Sequence, residues 1–300
     1  MPRARTAPSR SRLRSNRAAT VRERCFRLLA IAVLLPAILA AQDAKEIVRR
    51  AIQVNDQNEE VARNYTHLER RDVKELDGSG HVKEQRIETV DVTLLEGTPY
   101  RRLVARNDKP LPPDEQKKEE EKLRKSNEER RNETEEQRRQ RIAETNKRRD
   151  ERQREPMKEL LEAFDFRVAG QETIDGRAAW IVDAAPHPGF KGATAMSRAV
   201  FPKVHCRFWI DENSYHAAKV EIETFDTISL GLVLVRLSKG AHVTVELAQV
   251  NNEVWLPKRV SVAAAVRVLL VKDMRVDMHI DYSEYKKFQA DSHLVNEPRP

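Results

Sequence analysis

Two pairs of residues have side chains of the types that perform nucleophilic or acid–base chemistry. His205 adjoins Cys206, and Asp183 lies four residues before His187. A Cys–His nucleophile requires contact between the two side chains and a third group that orients the histidine. Adjacent residues of a strand point to opposite faces, so His205 and Cys206 are predicted not to meet. A further histidine, His279, lies on the polar side of an alternating pattern and is predicted to be a solvated imidazole.

Other signatures of catalysis or ligand chemistry are missing from the sequence. It has no Cys-x-x-Cys, His-x-x-x-His or His-Glu-x-x-His spacing, which are the patterns that zinc sites use. Its nine glycines form no phosphate-binding loop. We therefore predict no catalytic residue, no metal and no cofactor, and we expect the protein not to be an enzyme.

The net charge of +7 arises from the first 41 residues. They contain nine arginines and one acidic residue, Glu23, which leaves 46 basic and 47 acidic residues and a charge of −1 over residues 42–300. Binding to the phosphates of nucleic acids depends on a positive field. The sequence therefore predicts no nucleic-acid partner.

The same first 41 residues have the three parts of a secretory signal. An Arg-rich start precedes residues 26–39, which are apolar apart from Arg27, and small residues follow at Ala40 and Ala41. We predict cleavage after Ala40 or Ala41 and export to the periplasm or cell envelope, with an uncleaved N-terminal anchor as the alternative. No apolar run is long enough for a transmembrane span after the leader. Cys206 is then the remaining cysteine and is predicted to be a buried structural thiol.

The elements that must position these residues are mostly strands. Residues 43–62 have apolar side chains at the i, i+3, i+4 spacing of one helix face. Alternating patterns and turn residues predict strands over 65–76, 81–95 and 100–106, and about seven more between 166 and 282. This pattern is typical of an antiparallel meander that forms a sheet or an open barrel.

A highly charged segment separates the two strand-rich regions. From Asp114 to Glu155 it lacks Gly and Pro, and oppositely charged pairs such as Glu120 and Arg124 recur at i, i+4. Such pairs contribute about 0.2–0.5 kcal/mol each to a helix. We predict a long exposed helix that is stabilised by its own ion pairs. The alternatives are a solvated insertion without a partner, a spacer, or an arm for a protein partner.

Four stretches of strand and turn residues form a recognisable set: VAGQETIDGRAAWIV at 168–182, FWIDEN at 208–213, VNNEVWLPKRV at 250–260 and YSEYKKF at 282–288. They resemble the periplasmic lipoprotein-sorting family, which includes the carrier and receptor of the Lol pathway. The resemblance covers residues 43–106 and 158–290, and the charged insertion departs from it, so the transfer partners of that family are not carried over. It implies an unclosed β-barrel whose apolar concave face is covered by helices.

These patterns together predict an α+β fold that is mainly antiparallel β. We expect an unclosed half-barrel covered by short helices, with the long charged helix outside it. The predicted organisation is a signal peptide at 1–41, the N-terminal helix and first strands at 42–112, the charged helical insertion at 113–157, the remaining strands at 158–291 and a tail at 292–300.

The resemblance implies a binding face on the concave side of the sheet. Burial of apolar surface contributes about 25 cal/mol per Å², and each methylene of an acyl chain about 0.8 kcal/mol, so a lipid can be held without any specialised residue. The alternative is that the same side chains form a core, empty or covered by helices. The predicted face consists of Leu232, Leu234, Val260, Val262, Met274, Val276, Met278 and Ile280. Three tryptophans, Trp180, Trp209 and Trp255, are predicted to be core or rim anchors with the indole N–H bonded, or else direct ligand contacts.

We predict a non-enzymatic exported protein that binds a hydrophobic ligand, an acyl chain or a lipoprotein, in this face. One alternative is a protein-binding or stress-sensing periplasmic module that uses the sheet and the charged helix. Another is a structural envelope protein with no ligand. The predicted partners are a lipid or lipidated protein and an envelope protein that contacts residues 114–155.

Overall fold

The structure is a computed structural model that describes residues 44–230, 235–268 and 272–288. Within these ranges thirteen strands form one antiparallel sheet that is not closed into a barrel. The strands are β1 Tyr65–Leu76, β2 Val82–Leu95, β3 Thr98–Arg106, β4 Lys109–Pro110, β5 Phe164–Ile174, β6 Arg177–Pro186, β7 Val204–Asp211, β8 Ala217–Thr224, β9 Ile228–Leu230, β10 Val235–Leu237, β11 His242–Val250, β12 Val254–Val268 and β13 Lys272–Lys287.

The sheet joins the two strand-rich halves of the chain. Its order is β4-β3-β2-β1-β13-β12-β11-β8-β7-β6-β5, and β10 pairs with β9 and with the end of β12. The first long strand, β1, therefore pairs with the last, β13, over nearly its whole length. The predicted α+β class and the unclosed antiparallel sheet are confirmed.

Four α-helices accompany the sheet in the described residues: α1 at 44–62, α2 Pro113–Arg131, α3 Glu135–Ala163 and α4 Ala195–Val200. The amphipathic helix predicted over residues 43–62 is α1. Its residues Ala44 and Val48 are buried with Leu160 and Ala163 of α3 against the sheet. The apolar core thus lies between one face of the sheet and two helices that cover it, because each helix buries its single apolar stripe there.

The charged segment forms two helices where the sequence predicted one. A capping box begins α3: the Thr134 side chain accepts from Gln137 N, and the Gln137 side chain accepts from Thr134 N. The helix then continues through Pro156 to Ala163. Met157 and the residues after it up to Ala163 therefore belong to the end of α3. Proline removes one backbone hydrogen bond, and the burial of the last turns of α3 in the core offsets that loss.

The helices of the charged segment dock on the turn between β2 and β3. Arg130 donates to the carbonyl oxygen of Leu95 at 2.9 Å. Arg141 donates to the hydroxyl of Thr98 at 2.5 Å and to the carbonyl oxygen of Glu96 at 3.1 Å. The segment is therefore attached to the sheet at this turn, although α2 itself has no buried residue.

Candidate functional site

An apolar cavity of about 420 Å³ lies between the sheet and the two covering helices. We call it the main cavity. Its roof comes from α1 and the C-terminal half of α3, and its floor from β7, β8, β11 and the start of β12. The lining residues are Val48, Ala51, Ile52, Asn55, Asn58, Glu59, Arg152, Gln153, Pro156, Met157, Leu160, Phe208, Ile210, His216, Ala217, Val220, Ile222, Val245, Leu247 and Trp255.

A smaller cavity of about 220 Å³, the side cavity, adjoins the main cavity. Six residues line both, and we call the place where they lie the junction: Asn55, Asn58, Glu59, Gln153, Leu247 and Trp255. Beyond the junction the side cavity is lined by β1, β2, β12 and β13, with Tyr65, His67, Tyr282 and Tyr285 among its residues.

The roof helix α1 is attached to the floor by one buried side chain. Asn58 Nδ2 donates to the carbonyl oxygen of Trp255 at 2.8 Å, and Trp255 N donates to Asn58 Oδ1 at 2.7 Å. A single amide therefore satisfies both backbone groups of a residue in β12. This pairing sets the position of α1 over the junction.

The charged groups of the two helices meet above the side cavity. Arg63 pairs with Glu60 at 3.0 Å and with Asp150 of α3 at 3.5 Å. Glu59 and Arg149 also line the side cavity, but in the described part of the chain neither side chain makes an ion pair or hydrogen bond. Burial raises the pKa of Glu59 and lowers the pKa of Arg149, because it disfavours the charged form of each.

The predicted ligand face lies on the same side of the sheet as the main cavity but beyond its lining. Strand register places Val260 and Ile280 in one row with Val245, and residues paired across antiparallel strands share a face. Val262 and Met278 form the next row. These four predicted residues line neither cavity.

The remaining residues of the predicted face lie elsewhere. Met274 and Val276 line a separate groove of about 380 Å³ whose other residues are mostly charged, including Arg71, Glu84 and Arg86. Leu232 and Leu234 lie outside the described residues. The eight residues therefore stay a prediction, and the main cavity is lined by other positions.

The three predicted anchor tryptophans have different environments. Trp209 is buried and its Nε1 donates to Glu172 at 2.6 Å. Trp180 packs against Tyr215 with ring centroids 5.3 Å apart. Trp255 is the one that lines both cavities. Its indole stacks on His216 with centroids 5.6 Å apart, and its Nε1 has no hydrogen-bond partner among the described residues.

The candidate nucleophile is not assembled. Cys206 is buried in the core, whereas the His205 ring packs against Phe225 with centroids 4.6 Å apart. The two side chains thus lie on opposite faces of β7, as predicted. Burial raises the pKa of the Cys206 thiol to about 12, which disfavours the reactive thiolate.

The other candidate pair is also separated. Asp183 accepts hydrogen bonds from Arg207 and Arg167, and these bonds lower its pKa. His187 contacts Asp165 at 2.8 Å.

His279 lies 2.9 Å from the Ser261 hydroxyl. In the described ranges no three His, Cys, Asp or Glu side chains are placed to hold a metal ion.

Sequence reasoning missed most of the cavity. The apolar spacing of residues 43–62 predicted the helix face of α1, yet not the roof of a binding space. The floor residues Phe208, Val220 and Val245 lie in the region between 166 and 282 where strands were predicted. A signal for the site was present in the polar residues Asn55 and Asn58, which continue the otherwise apolar stripe of α1.

No protein-family model and no curated protein matches this sequence. Several solved structures are similar to the chain. A domain assigned to outer membrane lipoprotein sorting from Vibrio parahaemolyticus is 10% identical, with a TM-score of 0.34, over 81% of this chain and 94% of that chain. A LolA superfamily protein from Nitrosomonas europaea is 10% identical, with a TM-score of 0.28, over 82% of this chain and 93% of that chain.

A third similar structure is the complex of MucA and MucB from Pseudomonas aeruginosa, with 10% identity, a TM-score of 0.25, and coverage of 83% of this chain and 100% of that chain. The matches therefore include the class of protein that the sequence resembles. At these identities and scores the similarities assign no function, which depends on the cavities described above. Of the helices in the described residues, none has the length and apolar character needed to span a membrane.

Proposed function

We propose that this chain is a non-enzymatic, exported carrier that holds a hydrocarbon chain of a lipid or lipidated protein in the main cavity. The observation that supports this proposal is an apolar cavity of about 420 Å³, which is within the range of about 300–1,000 Å³ that is common for small-molecule sites. Export is supported by the leader at 1–41.

The construction of the cavity favours a ligand over an empty core. Its roof consists of two helices that are more than 70 residues apart in sequence, and its floor is the apolar face of four strands. Close-packed interiors contain few voids larger than a water molecule, so an apolar space of this size is more typical of a binding site than of a core.

The proposal is tested with a neutral ligand that carries a hydrocarbon chain. We expect purified mature protein to bind dodecanol at one-to-one stoichiometry, measured by native mass spectrometry and titration calorimetry. In Ala51→Trp the indole would occupy the main cavity. Each methylene kept out of the cavity costs about 0.8 kcal/mol, so the loss of two weakens binding roughly fifteenfold.

The matched control is Ala143→Trp, which makes the same change at an exposed position of α3. It is expected to bind dodecanol like the unmodified protein. Absence of any dodecanol binding, or equal weakening by both variants, would contradict a carrier function. In that case the chain would be a protein-binding or structural module. The partner predicted for residues 114–155 stays a separate proposal, and the exposed surface of α2 is the region where it would be sought.

A further inference from the structure

We infer that the side cavity is a site for an anionic head group, so that the ligand of this protein is an amphiphile with a carboxylate or phosphate next to its hydrocarbon chain. This inference rests on the proposed function, because the chain of the same ligand would occupy the main cavity. It adds the chemical class of the ligand and the residues that select it.

The first observation is a polarity gradient that the two roof helices share. The cavity-facing residues of α1 change from Val48 and Ile52 to Asn55 and Glu59 along the helix. Those of α3 change in the opposite chain direction, from Leu160 to Gln153 and Arg149.

The two gradients coincide because the helices are antiparallel. Arg154 of α3 pairs with Glu60 of α1, and Asp150 pairs with Arg63 one turn further on. Both helices are therefore apolar at the far end of the main cavity and become polar towards the junction and the side cavity. A space that is apolar at one end and polar at the other fits an amphiphile and not a plain hydrocarbon.

The second observation is a cation without a directly paired counterion. Arg149 lines the side cavity and is partly buried. Within the described ranges its guanidinium makes no hydrogen bond or close ion pair, although the charges of Glu59, Asp150 and Glu60 act on it from a distance. The neighbouring Arg63 is already neutralised by Glu60 and Asp150. The guanidinium donors of Arg149 are therefore open to a ligand, and a carboxylate or phosphate accepts two parallel hydrogen bonds from such a group.

The floor of the side cavity provides a further donor. Three tyrosines line this cavity. The hydroxyl of Tyr65 donates to Glu253 and that of Tyr285 donates to the carbonyl oxygen of Pro257. In the part of the chain that the structure describes, the hydroxyl of Tyr282 makes no hydrogen bond. It is therefore available to a ligand oxygen.

Glu59 is the acidic residue among the side-cavity lining residues. Its negative charge would repel an anionic head group, and burial already raises its pKa. Replacement by Gln keeps the shape of the side chain and removes that charge. Glu59→Gln is therefore expected to strengthen the binding of an anion, whereas Arg149→Gln is expected to weaken it.

The test compares two ligands that share a chain length and differ in head group. At neutral pH we expect dodecanoate to bind at least about tenfold more tightly than dodecanol, because hydrogen bonds to charged groups are the stronger class. Arg149→Gln is expected to remove this preference and leave dodecanol binding unchanged. Because Glu59 lines both cavities, the effect of Glu59→Gln is measured as the ratio of the two affinities. This ratio is expected to rise several-fold in favour of dodecanoate.

The matched control is Arg148→Gln. Arg148 is the adjacent arginine of α3, it is exposed, and it pairs with Glu144. Its replacement removes the same charge from the same helix, so it is expected to leave both affinities unchanged. Equal effects of Arg148→Gln and Arg149→Gln would show a general effect of charge and would overturn the assignment of a site.

The remaining outcomes separate this inference from the proposed function. Equal affinity of the unmodified protein for dodecanoate and dodecanol overturns the head-group site and leaves the carrier function standing. Binding of neither ligand overturns both. Acetate is the third ligand. If the protein binds acetate as tightly as dodecanoate, the side cavity is a site for free anions, and the inference of an amphiphilic ligand is overturned. The comparison among ligands uses the unmodified protein, so it does not depend on the folding of any variant.

Discussion

The attachment of α1 to the sheet through Asn58 makes a quantitative prediction. In Asn58→Ala the N–H and the carbonyl of Trp255 lose their partners, which lie at 2.7 and 2.8 Å in the intact protein. A buried polar group left without a hydrogen bond costs about 1–3 kcal/mol. Loss of both is therefore expected to lower the free energy of unfolding by about 2–6 kcal/mol.

The assay is urea denaturation followed by far-UV circular dichroism, which does not depend on the fluorescence of Trp255. The control is Asn55→Ala, the same substitution one turn earlier in α1, at a side chain without a hydrogen bond among the described residues. Substitutions away from such contacts are usually within about 0.5 kcal/mol. If Asn58→Ala destabilises the protein no more than Asn55→Ala does, the amide does not hold α1 over the junction and the reasoning is refuted.

Two further predictions concern buried groups outside the cavities. Burial opposes ionisation of Asp211, but hydrogen bonds from Arg177 and Ser214 outweigh it and lower its pKa from 3.8 to about 2. The native state therefore gains about 2 kcal/mol from this carboxylate above pH about 4 and loses this stabilisation as the pH falls towards about 2. In urea denaturation at neutral pH, Asp211→Asn should be less stable than the unmodified protein. A difference in the free energy of unfolding that persists at pH about 2 would contradict this linkage. Burial raises the pKa of the Cys206 thiol to about 12, so this thiol should react with a disulfide reagent only at the rate at which the protein unfolds. Rapid labelling of the native protein in the absence of urea would show that the thiol is accessible and would contradict its burial.

Several features of the protein could be predicted from local patterns because their physical cause is local. The apolar spacing in residues 43–62 predicts α1, since one face of a helix must be buried. Asp175 and Gly176 predict a two-residue hairpin and adopt φ values of 47° and 79° there, which that turn type requires. Alternation over 274–282 predicts β13, because successive side chains of a strand point to opposite faces.

Tertiary structure alone decided which part of the concave face borders the main cavity. Periodicity assigns Val260 and Val245 to one face of a sheet without showing which of them is covered by a helix. That choice depends on α3, which continues through Pro156 and brings Met157 and Leu160 over β7 and β8. Local propensity predicts that a helix begins or ends near a proline. In α3 the burial of the last turns in a core formed by distant residues outweighs this preference, so the helix continues.

The candidate head-group site has the same origin. Glu59 and Arg149 are 90 residues apart in sequence and belong to segments whose charges, taken separately, are typical of solvated helix faces. They become a candidate site because the antiparallel packing of α1 and α3 places both beside one cavity. Among the described residues neither side chain makes a hydrogen bond or a close ion pair there. Sequence patterns thus determine which faces are apolar and which are charged. The packing of non-local segments determines which of those faces surround a space that a ligand can enter.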